Sequence, residues 1–136
     1  MINKDLPHIK WVLPNAPTQS ITANFGMRMP GWFDILSFDW ALKQEDRRGL
    51  LDSAHAIDKL IQDEVDSGVP AGRIVLGGFS QGGTMSLLTG LTAREDGQFG
   101  GRTGWRLGGV AVLSGWLPLL DTFPKVVPGP FLHGWC

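Results

Sequence analysis

From Arg73 to Ala93 the sequence reads "RIVLGGFSQGGTMSLLTGLTA", and no other stretch constrains the fold as much. A short apolar run stops at paired glycines, a serine stands between glycines, and helix-forming residues follow. An apolar run of that length fits a strand buried on both faces of a parallel sheet. Gly78-Phe79-Ser80-Gln81-Gly82 matches G-x-S-x-G, the pattern of a strand-to-helix elbow. Such a turn is sharp enough to force strained dihedrals on the serine, and a side chain at either flanking glycine is expected to strike neighbouring backbone. The hydroxyl of Ser80 then stands above the sheet, beside the first free N–H groups of the helix. Those amides and the helix dipole favour an oxyanion, with Gln81 contributing mainly its backbone N–H rather than its side chain.

Other uses of a glycine-rich turn fit less well. A Walker-type phosphate loop needs a lysine directly after its last glycine, and none follows here. The glycines of "GGFSQGG" are also spaced differently from a dinucleotide fingerprint. The plain alternative is a turn that only packs a helix tightly on a strand. The strand–elbow–helix context favours the nucleophile over it.

The remaining pattern predicts an α/β fold. "HIKWVLPNAP" reads as a strand ending at Pro14, and residues 15–43 lack a clear period and read as a long, partly packed loop. From Gln44 to Ser67, Leu50, Ala54, Ile57, Ile61 and Val65 recur at helical spacing with charged residues between them. That is an amphipathic helix, stopped by Gly68 and Pro70. A second helix runs from Gln81 to Ala93 with Met85, Leu88 and Leu91 on one side. "REDGQFGGRTG" is rich in turns, "LGGVAVLSG" predicts a second buried strand, and "GPFLHG" predicts a further one. Strands alternating with helices imply a parallel sheet with right-handed crossovers.

Composition narrows the function classes. The 136 residues suffice for one domain, and 43% apolar residues with six tryptophans indicate a packed core. A formal charge of −1, without a basic face, argues against a nucleic-acid partner. No apolar run approaches the ~20 residues of a membrane span, and the start lacks a secretory h-region. One cysteine, Cys136, excludes an intrachain disulfide and disfavours a cysteine-based metal site. The expected setting is cytoplasmic, with the nucleus as a second compartment.

The segments "HIKWVLPNAP", "MRMPGWFDI", "QED", "RIVLGGFSQGG" and "VAVLSGWLPL" together resemble the acyl-protein thioesterases, in the phospholipase/carboxylesterase family of α/β-hydrolases. The resemblance runs from His8 nearly to the C-terminus. It implies a single, truncated α/β-hydrolase domain over residues 1–136, lacking elements at both ends. It further implies a serine hydrolase of fatty-acid and lipid metabolism, cleaving oxygen esters and palmitoyl-type thioesters on protein cysteines. S-acylated proteins or small acyl esters are then the substrates, with no metal or organic cofactor and no stable membrane anchor. By the same resemblance Ser80 is the nucleophile and Gln81 the oxyanion amide. Trp32, Phe33 and Asp34 fall in the family's element near the active site, and Trp116, Leu117 and Pro118 in the loop after the following strand. Core packing is the ordinary alternative for Trp32 and Phe33. Met27, Met29 and Leu117 are further candidates for an acyl groove, since a thioether surface adapts to an alkyl chain.

The family order is Ser, Asp, His. Its acid follows an H-G at a strand end, which here is "FLHGWC", so the alignment places the aspartate just beyond Cys136 and the histidine tens of residues further. The family's glycine-rich loop for the second oxyanion amide would precede this chain. Asp121 and His133 follow Ser80 in the right order, but a triad is defined by geometry rather than order. The resemblance makes His133 a structural residue, while His8 and His55 read as surface or packing residues and Glu95 and Asp96 as a solvated turn. The expectation is a chain of low stability and little activity by itself. The alternative is a non-catalytic fragment or an acyl- or partner-binding decoy.

Overall fold

The computed structural model describes residues 6–42, 44–92 and 106–120. Its first regular element is a hairpin. Strand β1 (Thr18–Ile21) pairs antiparallel with β2 (Met27–Pro30), Thr18 opposite Pro30 and Ile21 opposite Met27. A 3-10 turn over Thr22–Asn24 reverses the chain, completed by left-handed Phe25 and Gly26 (φ 54° and 73°). The hairpin corrects the expectation of a loop across residues 15–43. Only Ile21 in it is buried, while every residue of β2 is exposed. With no buried face there was no alternation to read.

Residues 9–17 are irregular rather than a strand. A strand requires a paired neighbour, and among the described residues none runs beside this segment.

Helix α1 (Arg47–Asp66) begins at Asp46, whose carboxylate accepts from the Gly49 N–H at 2.9 Å. It ends where Gly68 turns left-handed at φ 98° and Pro70 follows. Leu50, Ala54 and Ile61 are buried as the spacing predicts, while Ile57 and Val65 are half-buried.

Strand β3 (Val75–Phe79) leads through Ser80 into α2 (Gln81–Thr92), and β4 (Gly109–Leu113) then pairs parallel to β3 in register Val75–Gly109 to Phe79–Leu113. Helix α2 packs on both strands and against α1. The core between the helices is Phe33, Leu50, Ala54, Met85, Leu88 and Leu119.

Two expectations change here. Leu91 is not part of the buried stripe and is 38% exposed. At 3.6 residues per turn it lies about 120° around the helix from Met85, and Thr84, Thr89 and Thr92 are buried instead. Nor, among the described residues, are the strands covered on both faces: Val75, Phe79 and Leu113 are 62%, 69% and 68% exposed. Side chains in register on a parallel pair share a face. Val110 and Val112 therefore meet α2, while no described layer covers the opposite side. Residues Ala93, Glu95, Asp96 and Asp121, the "REDGQFGGRTG" turn, the "GPFLHG" strand, His133 and Cys136 lie outside the described residues.

Leu88 is fully buried in this core. Truncation to alanine should lower unfolding free energy by about 3 kcal/mol. Urea titration followed by tryptophan fluorescence reads this directly, and a change below about 1 kcal/mol would mean the two helices do not pack as described.

Candidate active site

Ser80 sits between β3 and α2 with φ 53°, in the left-handed region that a non-glycine residue occupies only at a cost. Three contacts hold it there. Its N–H donates to the Leu113 carbonyl at 2.9 Å, and its own carbonyl accepts from the Thr84 N–H at 3.0 Å. At Gly78 an added Cβ would overlap the Gly82 carbonyl and lie 2.6 Å from the Gly83 nitrogen.

The second glycine of the motif behaves differently from expectation. A Cβ on Gly82 meets no described atom within 4 Å outside the helix's own neighbouring backbone. The crowded partner is Gly83 instead, whose Cβ would lie 3.0 Å from both the Gly78 oxygen and Val112 Cγ1. Gly115 meets the same surface, 2.9 Å from the Gly83 carbonyl carbon and the Thr84 nitrogen. Gly82 points away from the strand pair, whereas Gly83 lies against it.

The carboxamide of Gln81 also has a use that sequence reasoning missed. Its Oε1 accepts from the Trp32 N–H at 2.9 Å, and its Nε2 donates to the Phe33 carbonyl at 3.0 Å. Ser53 Oγ donates to the Trp32 carbonyl. Asp46 Oδ2 accepts from the Asp34 N–H at 2.9 Å. Asp34 in turn accepts from the Thr22 N–H at 2.7 Å and the Thr22 hydroxyl at 2.5 Å, tying the hairpin to this loop. Glu45 Oε2 accepts from the N–H of left-handed Leu119 at 2.8 Å. A polar residue after the nucleophile and a "QED" before a helix were visible signals, but their partners lie 49, 12 and 74 positions away.

These bonds bring most of the predicted aromatic and apolar residues together. Phe33 and Trp116 meet edge to face, ring centres 5.7 Å apart at 86°. Both line a cavity of about 570 Å³ with Leu117 and Asp34. Phe33 is thus core and cavity wall at once. Trp32 does not line that cavity and packs against the core. Pro118 is buried. Met29 lines a smaller cavity of about 290 Å³ with Ile21, Phe38 and Gln81, while Met27 is exposed and lines neither. His8 and His55 are exposed.

Among the described residues no His, Cys, Asp and Glu cluster is suited to a metal ion, and no helix is long and apolar enough to cross a membrane.

The family model described as phospholipase/carboxylesterase matches residues 1–134. The chain belongs to the phospholipase/carboxylesterase family. Acyl-protein thioesterase 1 of Neurospora crassa is 46% identical over 129 residues, covering 92% of this chain and 49% of that protein. Acyl-protein thioesterase 1 of Schizosaccharomyces pombe is 45% identical over 120 residues, 88% of this chain and 49% of its own length. Among solved structures, Zea mays acyl-protein thioesterase 2 superposes with TM-score 0.71 at 31% identity, covering 92% of this chain and 52% of that one. Arabidopsis thaliana SOBER1 gives 0.75 at 28% identity, with 92% and 55% covered. The chain therefore has a partial α/β-hydrolase fold, related to hydrolases, and spans about half the length of the curated relatives it matches.

Within this family member the two motif glycines should separate cleanly. Gly78→Ala forces backbone overlap and should cost at least about 3 kcal/mol or prevent folding. Gly82→Ala should be neutral or stabilise by about 0.5–1 kcal/mol, because alanine restricts the unfolded chain more than glycine does. Equal losses in thermal denaturation would contradict the elbow geometry.

Proposed function

We propose that this chain carries the nucleophile side of a serine hydrolase that cleaves acyl thioesters on protein cysteines and small carboxylic esters. The observation that carries the reading is the left-handed Ser80 between β3 and α2, in a chain of this family. Ser80 is the nucleophile. Gln81 gives its backbone N–H to the developing oxyanion at the amino end of a 12-residue helix. Phe33, Trp116 and Leu117 form apolar walls for the acyl chain, and Trp32 backs them from the core. The relatives' names support S-acylated proteins as substrates, and a cytoplasmic setting is part of the same reading.

Hydrolysis would proceed in two steps. The Ser80 oxygen attacks the acyl carbonyl carbon, a base takes the hydroxyl proton, and the thiol departs carrying a proton. Water then releases the acid from the serine ester. In this reading the base and its acid belong to the half of the family's length that these 136 residues do not match. Removing a hydroxyl's base can cost on the order of a million-fold in turnover.

A second reading is a non-catalytic chain that binds acyl groups or a partner. It draws on the same cavity and on the exposed Val75, Phe79 and Leu113.

Fluorophosphonate labelling with peptide mapping, alongside p-nitrophenyl ester turnover, tests the first. The 136-residue chain should turn over on the order of a million-fold more slowly than the Neurospora crassa relative, with slow labelling confined to Ser80 and absent in Ser80→Ala. Labelling elsewhere would remove Ser80 from its role. Turnover within a hundredfold of the relative, abolished by Ser80→Ala, would mean that this chain completes its own triad.

A further inference from the structure

Residues 32–34 form no helix or strand, yet four of their main-chain polar groups are held by side chains. Gln81 takes the Trp32 N–H and the Phe33 carbonyl, Ser53 takes the Trp32 carbonyl, and Asp46 takes the Asp34 N–H. Buried backbone groups must find partners, and here no neighbouring strand supplies them. Gln81 differs from the other two because it is the residue directly after Ser80. Its carboxamide presents one acceptor and one donor in a plane, and the two face one donor and one acceptor on consecutive residues. No other side-chain type offers that pair at the same reach with no charge to desolvate. The segment so held carries Phe33 and Asp34, which line the 570 Å³ cavity beside Trp116 and Leu117.

We propose that the Gln81 carboxamide is a positioning group that sets the wall of this cavity for long acyl chains, a role separate from that of the Gln81 backbone N–H. The proposal rests on the acyl reading of the cavity given above. A substitution at Gln81 leaves the backbone N–H in place, so the two roles separate by mutation. With the carboxamide removed, Trp32 N–H and Phe33 C=O turn to water, and Phe33 leaves its edge contact with Trp116. A short acyl group touches too little of the wall to register the change, whereas a long one loses its apolar contact.

The test uses the whole 136-residue chain and non-hydrolysable thioethers, S-ethyl- and S-dodecyl-N-acetylcysteine, titrated by tryptophan fluorescence below the micelle concentration. Gln81→Met keeps the side chain's length and removes both hydrogen bonds. It should weaken dodecyl binding about tenfold and ethyl binding less than twofold, and speed hydrogen exchange of the Trp32 amide at least tenfold. Gln81→Glu keeps the acceptor for Trp32 and loses the donor to Phe33. It should leave Trp32 protected while dodecyl affinity still falls, and it decides the matter if Gln81→Met does not fold. Equal losses for both thioethers, or an unchanged Trp32 amide in Gln81→Met, would overturn the proposal. Should fluorophosphonate label another residue while dodecyl binding depends on Gln81 as described, the nucleophile reading falls and the positioning role stands. Should Ser80 react while dodecyl binding ignores Gln81, the positioning role alone falls.

Discussion

Backbone touching backbone, where the amino end of α2 meets the ends of β3 and β4, is the constraint from which the other features descend. Gly78 and Gly115 bring segments closer together than a side chain permits, and a side chain at Gly83 would need its neighbours to give by a few tenths of an ångström. Once α2 is seated at that distance, the single residue between β3 and α2 has no relaxed route, and Ser80 takes a left-handed conformation. The Leu113 carbonyl and the Thr84 N–H then secure it on both sides. The strain is local, and the packing of α2 against the strands and α1 is what offsets it.

The same helix start organises its surroundings. Gln81 projects its carboxamide onto the Trp32–Phe33 backbone, and Thr84 Oγ1 accepts from the Trp116 N–H at 3.2 Å. One turn of α2 thus holds the two loops that bear the Phe33–Trp116 contact. From the other side, Glu45 and Asp46 at the start of α1 fix Leu119 and Asp34. Side-chain carboxylates and a carboxamide do in these loops what a strand ladder does in a sheet. A loop built in this way is specified by a few polar side chains rather than by many weak contacts. This is why single substitutions there are informative.

The open face of the β3–β4 pair belongs to the same description. Phe79 directly precedes Ser80 and its side chain is 69% exposed, on the side of the sheet away from α2. Parallel sheets are ordinarily covered on both sides. A chain spanning about half the length of its relatives presents part of such a sheet with one described layer. The apolar surface on that side carries Val75, Phe79 and Leu113.

Several features were legible from sequence because they are local. The period of α1, its stop at Gly68, the short apolar runs of β3 and β4, and the glycine–serine spacing of the elbow each repeat a pattern within a few residues. The collinear segments from "HIKWVLPNAP" to "VAVLSGWLPL" identified the family for the same reason. The hairpin at Thr18–Pro30 was hidden because its faces are exposed and carry no alternation, and the run ending at Pro14 looked like a strand but has no partner among the described residues. Which glycine is crowded, which aromatic lines the cavity, and what Gln81 binds were decided only in three dimensions. Spacing along the chain fixes which way a residue points within its own element, but a contact 49 positions away depends on how the elements are stacked.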